Sequence, residues 1–203
     1  MVAIVDYGMG NLRSVANAID YLGFEFALIS KPEELSGYEK MILPGVGSFH
    51  ACMSNLKKEG MDQAIHEFVK SGKYFLGICL GMQVLATKGN EPFSTDGLNL
   101  IPGEVKLFEL EKQFPVPHVG WNNVSVQKNN HWLFEGIKNN SDFYFTHSYY
   151  FETTTEYTLT TTSYGKDFTS AVIKDNVMAT QFHPEKSQDN GTRMLLNFLS
   201  HEG

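Results

Sequence analysis

The sequence predicts an α/β fold: a mostly parallel central sheet with helices on both faces, extended toward the C-terminus by partly antiparallel strands. Three observations carry this. Through the first half, short β-branched apolar runs alternate with stretches of helical apolar spacing, the pattern of parallel strands joined by crossover helices. Those runs end in glycine-bearing turns. Over residues 105–179 the helical spacing gives way to short runs rich in Val, Thr, Tyr and Phe, broken by Asn, Gly and Lys.

The elements follow in order. Residues 2–6 are a first strand, ending in Tyr7-Gly8-Met9-Gly10-Asn11. A helix over 12–22 has Leu12, Val15, Ala16, Ile19 and Leu22 at helical spacing, with Asn11 as its N-cap and Gly23 as its stop. Residues 24–29 and 41–43 read as the second and third strands, and Pro44-Gly45-Val46-Gly47 turns tightly into another helical stretch. Residues 61–69 place Met61, Ala64, Ile65, Phe68 and Val69 on one helix face, which stops at Gly72. Residues 74–78 are a buried strand with Cys79 at its end. In the second half, Asn122-Asn123, Asn129-Asn130 and Asn139-Asn140 are expected to be turns. A closing helix over about 190–199 buries Met194, Leu195, Phe198 and Leu199. There is no internal repeat, low-complexity segment or linker, so residues 1–203 are expected to form one domain.

Composition excludes several classes. Sixteen basic residues against twenty-three acidic ones give a net charge of −7, and the densest basic cluster is Lys57-Lys58. A nucleic-acid surface would need a basic face, so nucleic acid is not an expected partner. Two cysteines, Cys52 and Cys79, make neither a disulfide framework nor a zinc-ligand pattern, so no metal is expected. The start MVAIVDYGMG reads as a strand rather than a signal peptide. No apolar run approaches the ~20 residues that span a bilayer. A cytoplasmic protein without a membrane partner is the expectation.

The most informative stretch is Gly77-Ile78-Cys79-Leu80-Gly81, a Gly-x-Cys-x-Gly at a strand-to-helix junction, the form of a nucleophile elbow. The glycines let strand and helix cross closely. A following helix N-terminus would favour a thiolate, and the Leu80 N–H would face a developing oxyanion. Alone, Cys79 would be read as a small core residue; strand, helix and both glycines together displace that reading. A thiol needs a base, and Gln181-Phe182-His183-Pro184-Glu185 offers one. Pro184 keeps that segment extended, so His183 and Glu185 leave the same face, and Glu185 can hold one imidazole nitrogen while the other takes the Cys79 proton. Pro44-Gly45-Val46-Gly47 could turn backbone N–H groups toward an anion, with Gly47 as the second half of the oxyanion hole.

Together these segments resemble the class I (triad) glutamine amidotransferases. Ile4 to Leu12, Pro44-Gly45-Val46-Gly47-Ser48-Phe49, Pro117-His118-Val119-Gly120-Trp121-Asn122, Phe145-Thr146-His147-Ser148-Tyr149 and Gln181 to Ser187 resemble one branch, the glutaminase subunit of imidazole glycerol phosphate synthase. The resemblance covers essentially the whole chain. It implies the family's three-layer fold, and glutamine hydrolysis through a Cys79 thioester with His183 relaying protons and Glu185 orienting it. It also implies a glutamine pocket at Gly47, Gln83, His147, Ser148 and Tyr149, and no cofactor. The implied partner is a (β/α)₈ barrel cyclase that receives the ammonia, forms a heterodimer through Asn11, Trp121, Tyr144 and Lys186, and stimulates the glutaminase. Its products are imidazole glycerol phosphate and an aminoimidazole carboxamide ribotide, in histidine biosynthesis. Val119 and Thr146 stand where many members carry methionine and valine.

The remaining features read more plainly. His118 is expected to be structural at the interface and His147 a pocket wall, while Cys52 is a helical spectator. Gly8-Met9-Gly10 lacks the third glycine of a dinucleotide loop, Arg13 standing in its place. Rival readings are a paralogous glutaminase supplying amidino nitrogen to bacterial surface sugars, a cysteine peptidase, and an inactive scaffold. The intact Cys79, His183 and Glu185 argue against the last.

Overall fold

A computed structural model describes residues 1–128 and 131–202. Its first strands, β1 (Val2–Val5), β2 (Phe26–Ile29), β3 (Lys40–Gly45) and β4 (Tyr74–Cys79), all run parallel, in the order β2-β1-β3-β4. The helices between them are α1 (Leu12–Tyr21), α2 (Phe49–Lys58) and α3 (Met61–Lys70). Alternation along each strand feeds two cores. Ala3, Val5, Met41, Leu43 and Phe75 pack with Phe49, Met53 and Leu56 of α2 and with Ile65 and Phe68 of α3. Val2, Ile4, Ile42, Leu76 and Ile78 pack instead with Val15 and Ile19 of α1 and with the closing helix. Sheet between two helical layers is thus written into every second residue.

After β4 come α4 (Leu80–Gln83), the short strands β5 (Lys88–Gly89) and β6 (Thr95–Asp96), then β7 (Glu104–Leu107). The β-rich remainder is β8 (His118–Val126), β9 (Ser141–His147), β10 (Tyr149–Glu152), β11 (Thr158–Ser163), β12 (Asp167–Lys174) and β13 (Val177–Thr180), closed by α5 (Gln188–Ser200). The sheet continues from β4 as β13-β12-β10-β7-β5-β6, while β11 pairs with β12 and β8, and β8 pairs with β9. Most of these pairings are antiparallel; β13 is the exception that matters, because it lies parallel to β4 with Thr180 opposite Ile78. That register brings residues 181–183 beside the end of β4.

Four expectations need correction. Asn122 and Asn123 are not a turn but the middle of β8: Asn123 bonds across to Asp142 at 2.7 Å, and Asn122 donates to the Ser163 carbonyl at 3.0 Å. Cross-strand partners outweigh the local turn preference of asparagine. The pair Asn139-Asn140 does lie in a turn, with Asn140 at φ +61°; the third pair, Asn129-Asn130, lies outside the described residues. Asn11 occupies the N-cap position of α1, but its side chain makes no capping bond. The helix after Cys79 is one turn long, so it supplies local N–H groups rather than an extended macrodipole. Finally, Pro184 does not hold its segment extended: it opens a 3₁₀ turn, Pro184–Lys186. Proline at the first turn of a helix loses no needed donor.

Among the described residues no helix is long and apolar enough to cross a membrane.

Candidate active site

The junction of β4 and α4 is strained in the manner an elbow requires. Cys79 sits at φ +56°, ψ −107°, a region L-residues rarely adopt, and its side chain is thrown off the end of the sheet. The chain crosses so tightly there that a Cβ on Gly81 would stand 1.8 Å from the Leu43 carbonyl oxygen, and one on Gly77 2.5 Å from the Gly81 carbonyl oxygen. Backbone oxygens cannot step aside as a side chain would. Both glycines are therefore sterically demanded, not incidental.

The β3–β4 register pairs Gly45 with Cys79, which carries the Pro44–Gly47 turn to the side of Cys79. Gly47 there has φ +105°. The next residue, Ser48, caps α2 by accepting the Ala51 N–H at 3.3 Å.

On the opposite flank, His183 and Glu185 meet across the 3₁₀ turn. The imidazole Nδ1 donates to Glu185 Oε1 at 2.8 Å, and both side chains are buried. This fixes the tautomer whenever the ring is neutral and leaves Nε2 for other work. Nε2 and Glu185 Oε2 are buried and have no hydrogen-bond partner among the described residues. Burial alone would disfavour charge on His183, but the Cys79 sulfur and the Glu185 carboxylate outweigh it and raise the imidazole to about 10. The direction is that of a buried ring flanked by a carboxylate and a sulfur.

These groups open into a cleft of about 290 Å³. Of the expected residues, Gly47, Cys79, Leu80, Gln83, His147, Ser148, Tyr149 and His183 all line it, and Glu185 stands behind His183. Four further residues complete the lining: Val46, Glu91, Pro117 and Thr146. Glu91 is the consequential addition. Its carboxylate is half-buried and accepts the Phe49 N–H at 3.0 Å, and burial raises its pKa against the pull of that bond. Sequence reasoning missed it because it sits in a loop between short strands that carry no periodic signal. A larger cavity of about 760 Å³ opens between Met1, Tyr74 and Leu199 but contains no cysteine. Size does not select the site; chemistry does.

The Gln83 amide donates to both the Tyr149 carbonyl and Gln181 Oε1 at 3.0 Å. His147 Nδ1 donates to the same Tyr149 carbonyl at 2.7 Å. Its Nε2 must then accept from His118 Nδ1, at 3.0 Å, and His118 Nε2 accepts from Asn122 Nδ2, at 3.3 Å. An acceptor-only carbonyl thus fixes the tautomers of both histidines. Burial lowers His118 to about 4 and His147 to about 3, keeping the pair neutral near pH 7. Cys52 is equally inert: burial pushes its thiol up to about 12.

The four expected interface residues are placed as follows. Trp121 on β8 is opposite Tyr144 on β9, their rings edge-to-face at 6.0 Å. Lys186 Nζ lies 5.8 Å from the centre of the Tyr144 ring, and Asn11 opens α1, which packs on the Pro184–Lys186 turn. Trp121 and Val119 are roughly half exposed. Tyr144 also accepts the His183 N–H on its carbonyl at 2.9 Å, so this patch and the imidazole share a backbone bond. Among the described residues no group of three His, Cys, Asp or Glu is placed to hold a metal.

The family model of class-I glutamine amidotransferases matches residues 3–201. An imidazole glycerol phosphate synthase subunit HisH from Methanosarcina barkeri is 47% identical over 200 residues, covering 98% of this chain and 97% of that one. A protein of the same name from Helicobacter hepaticus is 44% identical over 211 residues, with 98% and 97% covered. Among solved structures, PurLQS from Thermotoga maritima superposes with TM-score 0.77 at 19% identity, covering 98% of this chain and 96% of that one. A glutamine amidotransferase crystal structure gives TM-score 0.76 at 22% identity, with 98% and 97% covered. These last two speak to the fold alone. On the family match and the full-length relatives, the chain belongs to the class-I glutamine amidotransferase family, in the branch of imidazole glycerol phosphate synthase HisH subunits.

Proposed function

We propose that this chain is the glutaminase subunit of an imidazole glycerol phosphate synthase, releasing ammonia from L-glutamine for histidine biosynthesis. The observation that carries the chemistry is the meeting of Cys79, strained at the end of β4, with His183, itself oriented by Glu185 at 2.8 Å, at one cleft.

Glutamine lies with its amide carbon against Cys79 Sγ. Its α-ammonium group faces Glu91, the acidic side chain of the lining, and Gln83 Oε1, which is free to accept because both donor hydrogens of that amide are spent internally. His147, Ser148 and Tyr149 form the wall. Sulfur attacks the amide carbon, and the carbonyl oxygen takes up the negative charge facing the N–H groups of Gly47 and Leu80. His183, having accepted the thiol proton, returns it to the departing nitrogen; the C–N bond breaks, leaving ammonia and a thioester. Water, deprotonated by the same Nε2, then attacks the thioester and frees glutamate and Cys79. Glu185 holds the imidazolium throughout.

Ammonia passes to a (β/α)₈ barrel cyclase that docks on Asn11, Trp121, Tyr144 and Lys186. It reacts there with a phosphoribulosyl nucleotide to give imidazole glycerol phosphate and an aminoimidazole carboxamide ribotide. Because that patch shares a backbone bond with His183, docking can be felt at the base. The chain acts in the cytoplasm as one domain over residues 1–203.

The test is glutamate release from glutamine, measured with the chain alone and with the histidine-pathway barrel of the same genome plus its nucleotide. Strong stimulation is expected. Replacing Cys79 by Ala should cut the stimulated rate by more than about 10⁴-fold while leaving the complex intact. Turnover near wild type would overturn the nucleophile assignment. Unstimulated turnover alongside retained Cys79 alkylation would keep the chemistry and reassign the acceptor, with surface-sugar amidination next in line.

A further inference from the structure

The proposed mechanism uses Cys79, His183 and Glu185 but leaves one polar side chain at the sulfur without a task. Gln181 is wholly buried, and its Nε2 lies 3.7 Å from Cys79 Sγ. It reaches that position through the sheet. β13 runs parallel to β4, and the backbone N–H of Gln181 prolongs the ladder by donating to the Ser170 carbonyl at 2.8 Å. Phe182 goes into the core, while Gln181 and His183, two apart, both come to the nucleophile.

An amide could present either end to a sulfur, and the neighbours decide which. The Tyr149 carbonyl can only accept, so Gln83 must turn its nitrogen toward it at 3.0 Å. The second hydrogen of that nitrogen points at Gln181, also at 3.0 Å, and Gln181 must meet it with oxygen. Its nitrogen is left facing Cys79. A donor aimed at a sulfur does little for a neutral thiol and much for a thiolate, since bonds to an ionised partner are about twice as strong.

We infer that Gln181 is a further catalytic residue, donating Nε2–H to the Cys79 thiolate in an orientation imposed by the Tyr149 carbonyl through Gln83. It holds the sulfur on the side away from the glutamine amide, so that the attacking lone pair faces the substrate. This deepens the glutaminase reading and rests on Cys79 being its nucleophile.

The test is alkylation of Cys79 by iodoacetamide in the free chain across pH 5–10, a readout that needs neither partner nor turnover. The Cys79→Ala variant corrects for Cys52. Gln181→Met keeps length and removes the donor; its alkylation rate at pH 7 should fall roughly three- to tenfold, with the pH profile moved to higher pH. Gln83→Met leaves Gln181 in place but removes what orients it, and should move the profile part of the way. Near-UV circular dichroism and thermal melting confirm that each variant is folded. If Gln181→Met does not fold, the Gln83→Met profile decides. A folded Gln181→Met whose profile superimposes on wild type would overturn the assignment, leaving Gln181 a packing residue whose loss lowers stability alone. Failure of the nucleophile reading would look different: glutamate release would survive in Cys79→Ala.

Discussion

The parallel half of the sheet, β1 to β4, and the antiparallel extension, β7 to β12, contribute to the same cleft by different means. The parallel half contributes backbone. Its strands end together at Pro44–Gly47 and Cys79, and what they supply is geometry that few residues tolerate: Gly47 at φ +105°, Cys79 at φ +56°, and a Gly81 with no room for a Cβ. The extension contributes side chains. His118, His147 and Asn122 are held by one another, and Trp121 stands out from the strand between them. The proposed chemistry is seated where the chain has no freedom, and the proposed docking patch where side chains can be exchanged. β13 joins the two, belonging to the extension in sequence and to the parallel half in direction.

The largest break in this comparison comes from adding one methyl group to each half. Gly81→Ala in the elbow places Cβ 1.8 Å from the Leu43 carbonyl oxygen, and β3 and α4 must separate. We expect a loss above about 4 kcal/mol, seen as a chain that does not melt cooperatively. Gly165→Ala, in the extension, meets only the side-chain carbons of Phe114 and Leu110, 3.0 to 3.1 Å away, at φ +68°. That variant should fold, at a cost of about 1–2 kcal/mol by thermal melting. Equal losses would show that the elbow is no tighter than an ordinary turn.

This asymmetry also explains what was legible in the sequence. The elbow is legible because its constraints are local: glycines two before and two after Cys79 follow from backbone contact within a few residues. The helices α1 and α3 could be read from their apolar spacing for the same reason. Asn122 and Asn123 carry a local turn signal, while the partners that hold them in a strand, Ser163 and Asp142, are far away in sequence. Glu91 escaped notice because its approach to the cleft depends on the loop after β5 folding over the start of α2. Pro184 suits an extended segment and the first turn of a 3₁₀ helix equally well, so its sequence does not choose between them. Local sterics leave marks in local sequence; tertiary hydrogen bonds do not.

A smaller effect tests the docking side. Trp121 is about half exposed in the free chain and rests edge-on against Tyr144 at 6.0 Å, an aromatic already ordered before any partner arrives. Such residues carry a large share of interface energy. Trp121→Ala should weaken the barrel complex by about 2 kcal/mol, roughly thirtyfold in Kd, measured by titration calorimetry. Alkylation of Cys79 should hardly change. Unchanged affinity would remove Trp121 from the interface, and a large change in alkylation would mean that the two regions are coupled rather than separable.

The smallest effect concerns the paired histidines, which tie β8 to the cleft wall. Both are buried and held neutral, with His118 lowered to about 4 and His147 to about 3 from an ordinary 6.5. In the unfolded chain each takes a proton near 6.5; in the folded chain neither does until far lower pH. The stability these two histidines contribute is therefore complete above 6.5 and is lost as pH falls toward 4, by up to ~1.4 kcal/mol per pH unit for each histidine that stays neutral. His131 and His201 are lowered by burial too and add to the slope. His118→Phe keeps the stacking on Phe145 and Tyr164, whose ring centres lie 4.9 and 4.0 Å away, and removes one titrating ring. It should be less stable at pH 7, because His147 Nε2 loses its donor, yet lose less on acidification. Denaturant melts at pH 7, 6, 5 and 4.5 measure both at once. If the variant falls as steeply as wild type, the His118 ring is not held neutral by the fold, and the chain from Asn122 to the Tyr149 carbonyl does not have the fixed polarity assigned to it.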